Sequence, residues 1–545
     1  MRSDLEIEQS IEKLPIRAIA SRLGLSEEEF LPHGRHIAKV PLSTLEARSG
    51  RPDGRLILVT AMSPTPSGVG KTTTTIGLGD ALCRSGKSAV IAIREPSLGP
   101  YFGIKGGGTG AGFAQVTPAE DINMHFTGDI GCVGKAANLL AALIDNHLHH
   151  SNRLNLDQRR ITWKRVVDLN DRALRDILVG LGGPKHGVPR KDGFIITPAS
   201  EIMAILCLAS SFSDLWERVR RIIFGYTKDL KPVTCDRLKA DSSLVVLLRD
   251  AVHPNLVQSI EHTPAFVHGG PFANIAHGCS SALATRLGLK LAEYVVTEAG
   301  FGSDLGGEKF FDIKCRTAGL EPAAAVVVAT LAAIDYHGGY KRGGGWDNLR
   351  RHIENVRRFG VPPVVAVNRF PGDRPRDLAR LARACERLGV RCEVSEVHGK
   401  GSKGGEALAA AVIEAARSGG KRFRPLYPLE WSLKRKIEAI ARRVYGAKRV
   451  AYAREAEETI DEIEAMGFGG LPICMAKTQM SFTDDPRVRG APHGFSITIN
   501  EATLSAGAGF VVAAAGQIVT MPGLPSVPAA ERVKIDRHGR LLGMA

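Results

Sequence analysis

The 545-residue chain has no long apolar run. Its longest, Ala323 to Ile334, is interrupted at Thr330 and is shorter than the ~20 residues a membrane helix needs. The reading is therefore of a protein with no membrane partner. Cysteine is sparse, nine residues scattered with no C-x-x-C pair. That spacing offers neither a zinc site nor a disulfide framework and suits a reducing cytoplasm. The N-terminus, MRSDLEIEQSIEKL, is acidic and amphipathic and lacks a signal-peptide core. Although the formal net charge is +15, no block of five Lys or Arg and no RNA-binding signature occurs. The excess is spread along the chain. It fits anionic small substrates better than nucleic acid, so no nucleic-acid partner is expected. His125, His253, His262, His268 and His277 make neither an H-E-x-x-H nor a finger spacing and read as loop or core histidines. Internal repeats and low-complexity segments are also missing.

What is present centres on Arg55 to Gly79, RLILVTAMSPTPSGVGKTTTTIGLG. Leu56 to Ala61 is a strand-length apolar run. The loop Thr65-Pro66-Ser67-Gly68-Val69-Gly70 follows, and Lys71-Thr72 opens a helix. Strand, glycine loop and helix in this order form a phosphate-binding arrangement, in which loop N–H groups and the helix dipole converge on an anion. Thr65 stands where the usual pattern begins with Gly. Lys71 would meet the outer phosphates of ATP, and the Thr72 hydroxyl would meet Mg2+.

Ser88 to Ile93 reads as a second strand, joined to the first by a helix in a parallel βαβ unit. Ligands of such sheets sit beyond the carboxyl ends of the strands, so Arg94 and Glu95 belong on the edge that carries Lys71. A glycine-rich stretch, Gly103 to Phe113, then lets backbone approach an anion, with Lys105, Gly106 and Gly107 at its centre. Glu120, Asp121 and Asp129 are candidates for a Mg2+ site or for helix caps, and capping is the better reading. After residue 290 the βα rhythm returns. Strands are expected at 294–297, 324–329, 363–367 and 391–397, joining the sheet begun at residue 56. The last two end in Asn368-Arg-Phe370-Pro-Gly and in the glycine-rich loop His398 to Gly405. From about 421 a basic helical stretch leads to short β runs at 495–499 and 510–519.

The segments PTPSGVGKTTTTIGLGDAL, REPSLGPYFGIKGG, EDINMHFTGD, EHTPAFVHGGPFANIAHG, VTEAGFGSDLGGEKFFDIKCR, NRFPGD, LPICMAKTQ and MPGLPSVPAAERV together resemble the formate–tetrahydrofolate ligase family over nearly the whole chain. The resemblance implies an α/β fold: a P-loop NTPase-like parallel sheet flanked by helices, with two further α/β domains. The corresponding division is 1–145 with 290–365 for the nucleotide domain, 146–289 for the second and 366–545 for a folate-side third. It implies ATP-dependent joining of formate to tetrahydrofolate through formyl phosphate, with Mg2+, a monovalent cation and a homotetramer. Lys71 and Arg94 would be catalytic, and Phe370 would clamp the pterin ring with the residue at 398. A diverged ligase or kinase acting on another small acid is the alternative. Four departures from the family pattern are visible. Val69 replaces Glu, and KGGGTGAGF replaces KGGAAGGGY. Ala332 and Asp335 replace Arg and Lys, and His398 replaces Trp.

Overall fold

Strands that are apolar on both faces can be stable only between two layers of helices. The computed structural model, which describes residues 2–104, 107–418, 423–539 and 541–542, shows that arrangement. Eight strands form the main body of a large sheet: β1 (Arg55–Ala61), β2 (Ala89–Ile93), β3 (Asn255–Ser259), β4 (Pro264–Val267), β5 (Tyr294–Glu298), β6 (Pro322–Ala329), β7 (Pro363–Asn368) and β8 (Cys392–Ser395). Seven run parallel in the order β4-β2-β5-β1-β6-β7-β8. β3 is antiparallel to β4 and carries the short strand Ala38–Lys39 from the N-terminal arm on its other edge. Every residue of β2, β3, β4 and β5 is buried, as are all but the first of β1.

β1 and β2 run parallel in one sheet, as the βαβ reading expects, but they are not neighbours. β5 lies between them, paired in register with both (Thr297 opposite Leu58 and Ala92). A right-handed crossover can skip a position in the sheet, and the sequence of β2 carries nothing that forbids it. Residues 391–405 depart from the expected strand and open loop. The strand ends at Ser395, and the glycine-rich stretch winds into a helical turn, Val397–Lys400, and a 3-10 turn, Gly401–Gly405.

Helix α1 (Lys71–Arg84) follows β1 and lies close on the sheet. A Cβ on Gly79 would stand 2.5 Å from Ile91 of β2, and one on Gly77 would stand 2.4 Å from the Val397 side chain. Glycine at these two positions lets the helix seat between the sheet and the 397–405 turns.

The main sheet also takes β3, β4 and β8 from sequence ranges read above as second and third domains, so division by range and division by sheet do not coincide. Smaller sheets lie elsewhere. A three-stranded antiparallel one joins Leu156–Ile161, Ile223–Thr227 and Pro232–Thr234. A four-stranded one in the C-terminal region has the order Arg449–Tyr452, Ser496–Ser505, Phe510–Ala515, Ile473–Ala476. The basic helix expected from 421 begins at Leu433, and residues 419–422 lie outside the described residues.

Candidate active site

The carboxyl edge of the parallel strands gathers most of the residues singled out above. Between β1 and α1 the loop Met62–Gly70 turns on Gly68 and Gly70, with φ of +81° and +76°. Side chains at such angles are strained, so glycine is required there. Thr65, at the position of the missing first glycine, closes the turn itself. Gly68 N–H donates to its carbonyl at 2.9 Å, and its hydroxyl donates to Gly68 O at 2.9 Å. Pro66, Ser67 and Gly68 are exposed, and Val69 is buried in the core. The base of the loop is braced by Ser63, which bonds Asn348 and His352, and by His337 at the Pro64 carbonyl (3.3 Å).

Lys71 opens α1 half-buried. Next to it, Thr72 Oγ1 donates to Glu298 Oε2 at 2.8 Å. Glu298 ends β5 with its side chain 5% exposed, and its other oxygen lies 3.5 Å from Arg94 Nη2. Arg94 Nη1 donates to Pro271 O at 3.3 Å, while its buried Nε has no partner among the described residues. Thus Thr72, at the start of α1, and Glu298 and Arg94, at the ends of the neighbouring strands β5 and β2, form one contiguous polar group. Arg94 pairs with Glu298 across the sheet. Its neighbour Glu95 points into a buried network, where burial and the adjacent Asp129 push its carboxyl well above the usual range. Asp129 itself pairs with Lys39 at 2.8 Å and accepts from Asn255 at 2.7 Å. It is the first residue of its helix, with Gly128 at the cap position, so the expectation of a capping side chain is replaced by an ion pair. Directly after the Glu298-Ala-Gly turn, Phe301 has φ +61°. A non-glycine residue in this region marks a backbone held by its surroundings, as at many functional sites.

Within the glycine-rich stretch Gly103 to Phe113, Lys105 and Gly106 lie outside the described residues. Gly108 N–H donates to Asn123 Oδ1 at 2.8 Å, and Phe113 N–H donates to the His398 carbonyl at 2.8 Å. A Cβ on Gly112, φ +59°, would meet that same carbonyl at 2.1 Å. The segment is therefore stitched to the 397–405 turns. Phe370 (52% exposed) and His398 (exposed) rise from the ends of adjacent strands, where Asn368 lies opposite Ser395.

Glu298 and Asn368 were not singled out from sequence. Asn368 Nδ2 donates to the carbonyls of Val69 (2.8 Å) and Gly70 (3.3 Å), and its Oδ1 accepts from Thr74 Oγ1 (3.0 Å). Each is a polar residue closing an apolar strand. That signal was readable, but the partner of each depends on strand order. His268 is a core histidine: Nδ1 meets Ser281 Oγ and Nε2 meets the Ala251 carbonyl, both at 2.7 Å, and burial pulls its pKa down to about 4.

The family model described as formate–tetrahydrofolate ligase matches residues 2–545. A protein of Paracoccus denitrificans (strain Pd 1222) named formate–tetrahydrofolate ligase is 55% identical over 555 aligned positions, covering 100% of both chains. A full-length match at this identity leaves no part of the chain outside the relationship: the chain belongs to the formate–tetrahydrofolate ligase family.

Proposed function

We propose that this protein joins formate to tetrahydrofolate at the expense of ATP, giving 10-formyltetrahydrofolate, ADP and phosphate. Family membership supports the overall reaction. The roles of individual residues are read from the strand edge, and the observation that carries them is the Thr72–Glu298–Arg94 group.

Formate is a poor acylating agent because its carboxylate has no leaving group. Attack of a formate oxygen on the γ-phosphorus of ATP makes a mixed anhydride, formyl phosphate. Folate N10 then attacks the formyl carbon, and phosphate leaves. Phosphoryl transfer needs little covalent help from protein; it needs position and positive charge. The Met62–Gly70 loop and the start of α1 offer N–H groups to the phosphates, and Lys71 adds a point charge. The oxygen donors of Thr72 and Glu298 fit Mg2+, a hard cation that takes hydroxyl and carboxylate ligands. Bound there, Mg2+ would neutralise charge on the β- and γ-phosphates. Arg94 presents a planar fork matched to a carboxylate or phosphate edge. Held at 3.5 Å by Glu298 on one side, it is oriented before substrate arrives.

Phe370 and His398 are proposed as the two faces of a pterin clamp. Thr65 to Thr72, with Lys105, Gly106 and Gly107, are proposed to line the phosphates. A homotetramer, the three-domain division, a cytoplasmic location and use of a monovalent cation are further proposals carried by the family relationship. Among the described residues, no helix is long and apolar enough to cross a membrane.

The test is a coupled assay with ATP, formate and tetrahydrofolate, run with potassium or with choline as the monovalent cation. Formate-dependent release of ADP and appearance of 10-formyltetrahydrofolate are expected, and both should vanish in Lys71→Ala with normal melting. Turnover of another small acid in place of formate would overturn the substrate assignment. Unchanged turnover in Lys71→Ala would remove that residue from the mechanism.

A further inference from the structure

A loop that presents its N–H groups to an anion turns its carbonyls the other way, and those carbonyls need partners. Val69 O is taken by the amide of Asn368 at 2.8 Å, and the same amide reaches Gly70 O at 3.3 Å, a carbonyl that also accepts from the Thr74 N–H at 3.0 Å and the Thr74 hydroxyl at 2.9 Å. The amide orientation follows from the network: its NH2 faces two carbonyls, and its oxygen faces the Thr74 hydroxyl at 3.0 Å. The fit is close, since a Cβ on Gly70 would stand 2.8 Å from Asn368 Nδ2. Asn368 is also the last residue of β7, and the chain goes directly into Arg369 and Phe370. On that side Arg369 N–H donates to Ser395 O at 3.0 Å. The Arg369 guanidinium pairs with Glu396 at 3.1 Å, and Glu396 pairs with Lys400 at 2.6 Å, across the turn that carries His398.

We propose that Asn368 is a positioning residue that couples the two ends of the reaction, so that filling the nucleotide loop sets the loop that receives the folate. The inference rests on the ligase reading and extends it. Phosphate in the Met62–Gly70 loop fixes the peptide planes of Val69 and Gly70. Their carbonyls fix the Asn368 amide, and its backbone fixes where Arg369 and Phe370 leave the sheet. By linkage the effect runs both ways: whichever ligand binds first tightens the other by the same factor.

The experiment measures dissociation constants for tetrahydrofolate on the full chain by calorimetry, with and without a saturating non-hydrolysable ATP analogue and Mg2+. In the unsubstituted protein the analogue is expected to tighten tetrahydrofolate about fivefold or more, the lower end of typical coupling. In Asn368→Ala the ratio should fall to about one even though both ligands still bind. Thr74→Val, which removes one arm of the bracket, should give an intermediate ratio. A purely structural asparagine would lower the melting temperature and leave the ratio alone. A ratio near one in the unsubstituted protein, or an undiminished ratio in Asn368→Ala, overturns the proposal. If Asn368→Ala does not fold, Asn368→Asp decides in the same way, because it keeps volume and the acceptor but loses the donor to both carbonyls. Failure of the unsubstituted protein to bind either ligand would overturn the ligase reading and this coupling together. Normal binding without coupling would overturn only the latter.

Discussion

At the scale of single residues, Arg94 and Glu298 can be told apart by what their loss does. Arg94→Lys keeps a charge but not the fork. It is expected to cost roughly 10²–10³ in turnover while leaving ATP affinity within a few-fold. Equal losses of turnover and ATP affinity would assign Arg94 to nucleotide binding alone. Glu298→Gln removes one anionic oxygen donor beside Thr72. Its turnover should fall and recover in part at higher Mg2+, and a Mg2+ titration that superimposes on the unsubstituted one would sink the assignment. His398 offers a smaller stacking face than the Trp implied by the family pattern. Replacement by Trp should lower the Michaelis constant for tetrahydrofolate by about fivefold, the scale of one aromatic pair at ~1 kcal/mol. An unchanged constant, with Phe370→Ala also silent, would remove the clamp. These residues were legible to different degrees. Lys71 and Thr72 announce themselves because they are consecutive residues of one loop–helix motif, and Arg94 because it directly follows the next apolar run, in a segment that carries the family resemblance. Glu298 and Asn368 do not, because each acts on a loop more than two hundred positions away in sequence.

At the scale of elements, α1 makes two further claims testable. Gly77→Ala would place a methyl 2.4–2.8 Å from the Val397 side chain. Overpacking of this kind costs about 1–3 kcal/mol, against about 1 kcal/mol gained in helix propensity. A net loss of about 1 kcal/mol is expected in denaturant unfolding, relieved in the double variant with Val397→Gly, because the nearest contact, at 2.4 Å, is Val397 Cβ itself. No relief would show that the two residues do not oppose each other. Asp80, on the same helix, is buried against Ser259 at 2.5 Å, and burial pushes its carboxyl up to about 7, with nearby Glu261 adding to the effect. Its unfolded value is about 3.9. The folded form therefore holds a proton that the unfolded form has lost between about pH 4 and 7, and stability falls as pH rises through that window. Asp80→Asn should flatten this slope and be the more stable protein at pH 8. An identical slope in the variant would refute the assignment. Element type was well marked for six of the eight main-sheet strands, whose observed bounds differ by a residue or two; β3 and β4 were not read, because Asn255, Gln258 and Ser259 break up the apolar run of β3 and β4 is only four residues long. Two further features were hidden. The insertion of β5 between β1 and β2 is a tertiary choice with no local signature. Glycines at 399, 401, 404 and 405 suggested an open loop, yet short helical turns form there because Gly404 and Gly405 pack closely against Glu396, Val397 and Ala81.

At the scale of the molecule, a chain with formal charge +15 draws polyanions towards it. The Michaelis constant for ATP is expected to rise with ionic strength between 50 and 300 mM salt, because surface attraction is screened over about 10 Å at 0.1 M. A flat profile would confine the attraction to Lys71 and Arg94 at the strand edge. The strand order has a further consequence, for the way the protein is made. β1 leaves the ribosome early, but its two sheet neighbours begin only at Tyr294 and Pro322. Until then both of its edges are open, an apolar strand with unpaired backbone on either side. The nucleotide loop beside it has neither Glu298 nor Asn368. A nascent or prematurely ended chain that stops before residue 290 thus carries the whole glycine loop and Lys71 and should still fail to hold ATP. Its exposed strand would instead recruit chaperones or associate with other unfinished copies. Synthesis must pass β7 before the first motif in the sequence acquires the partners that make it a site.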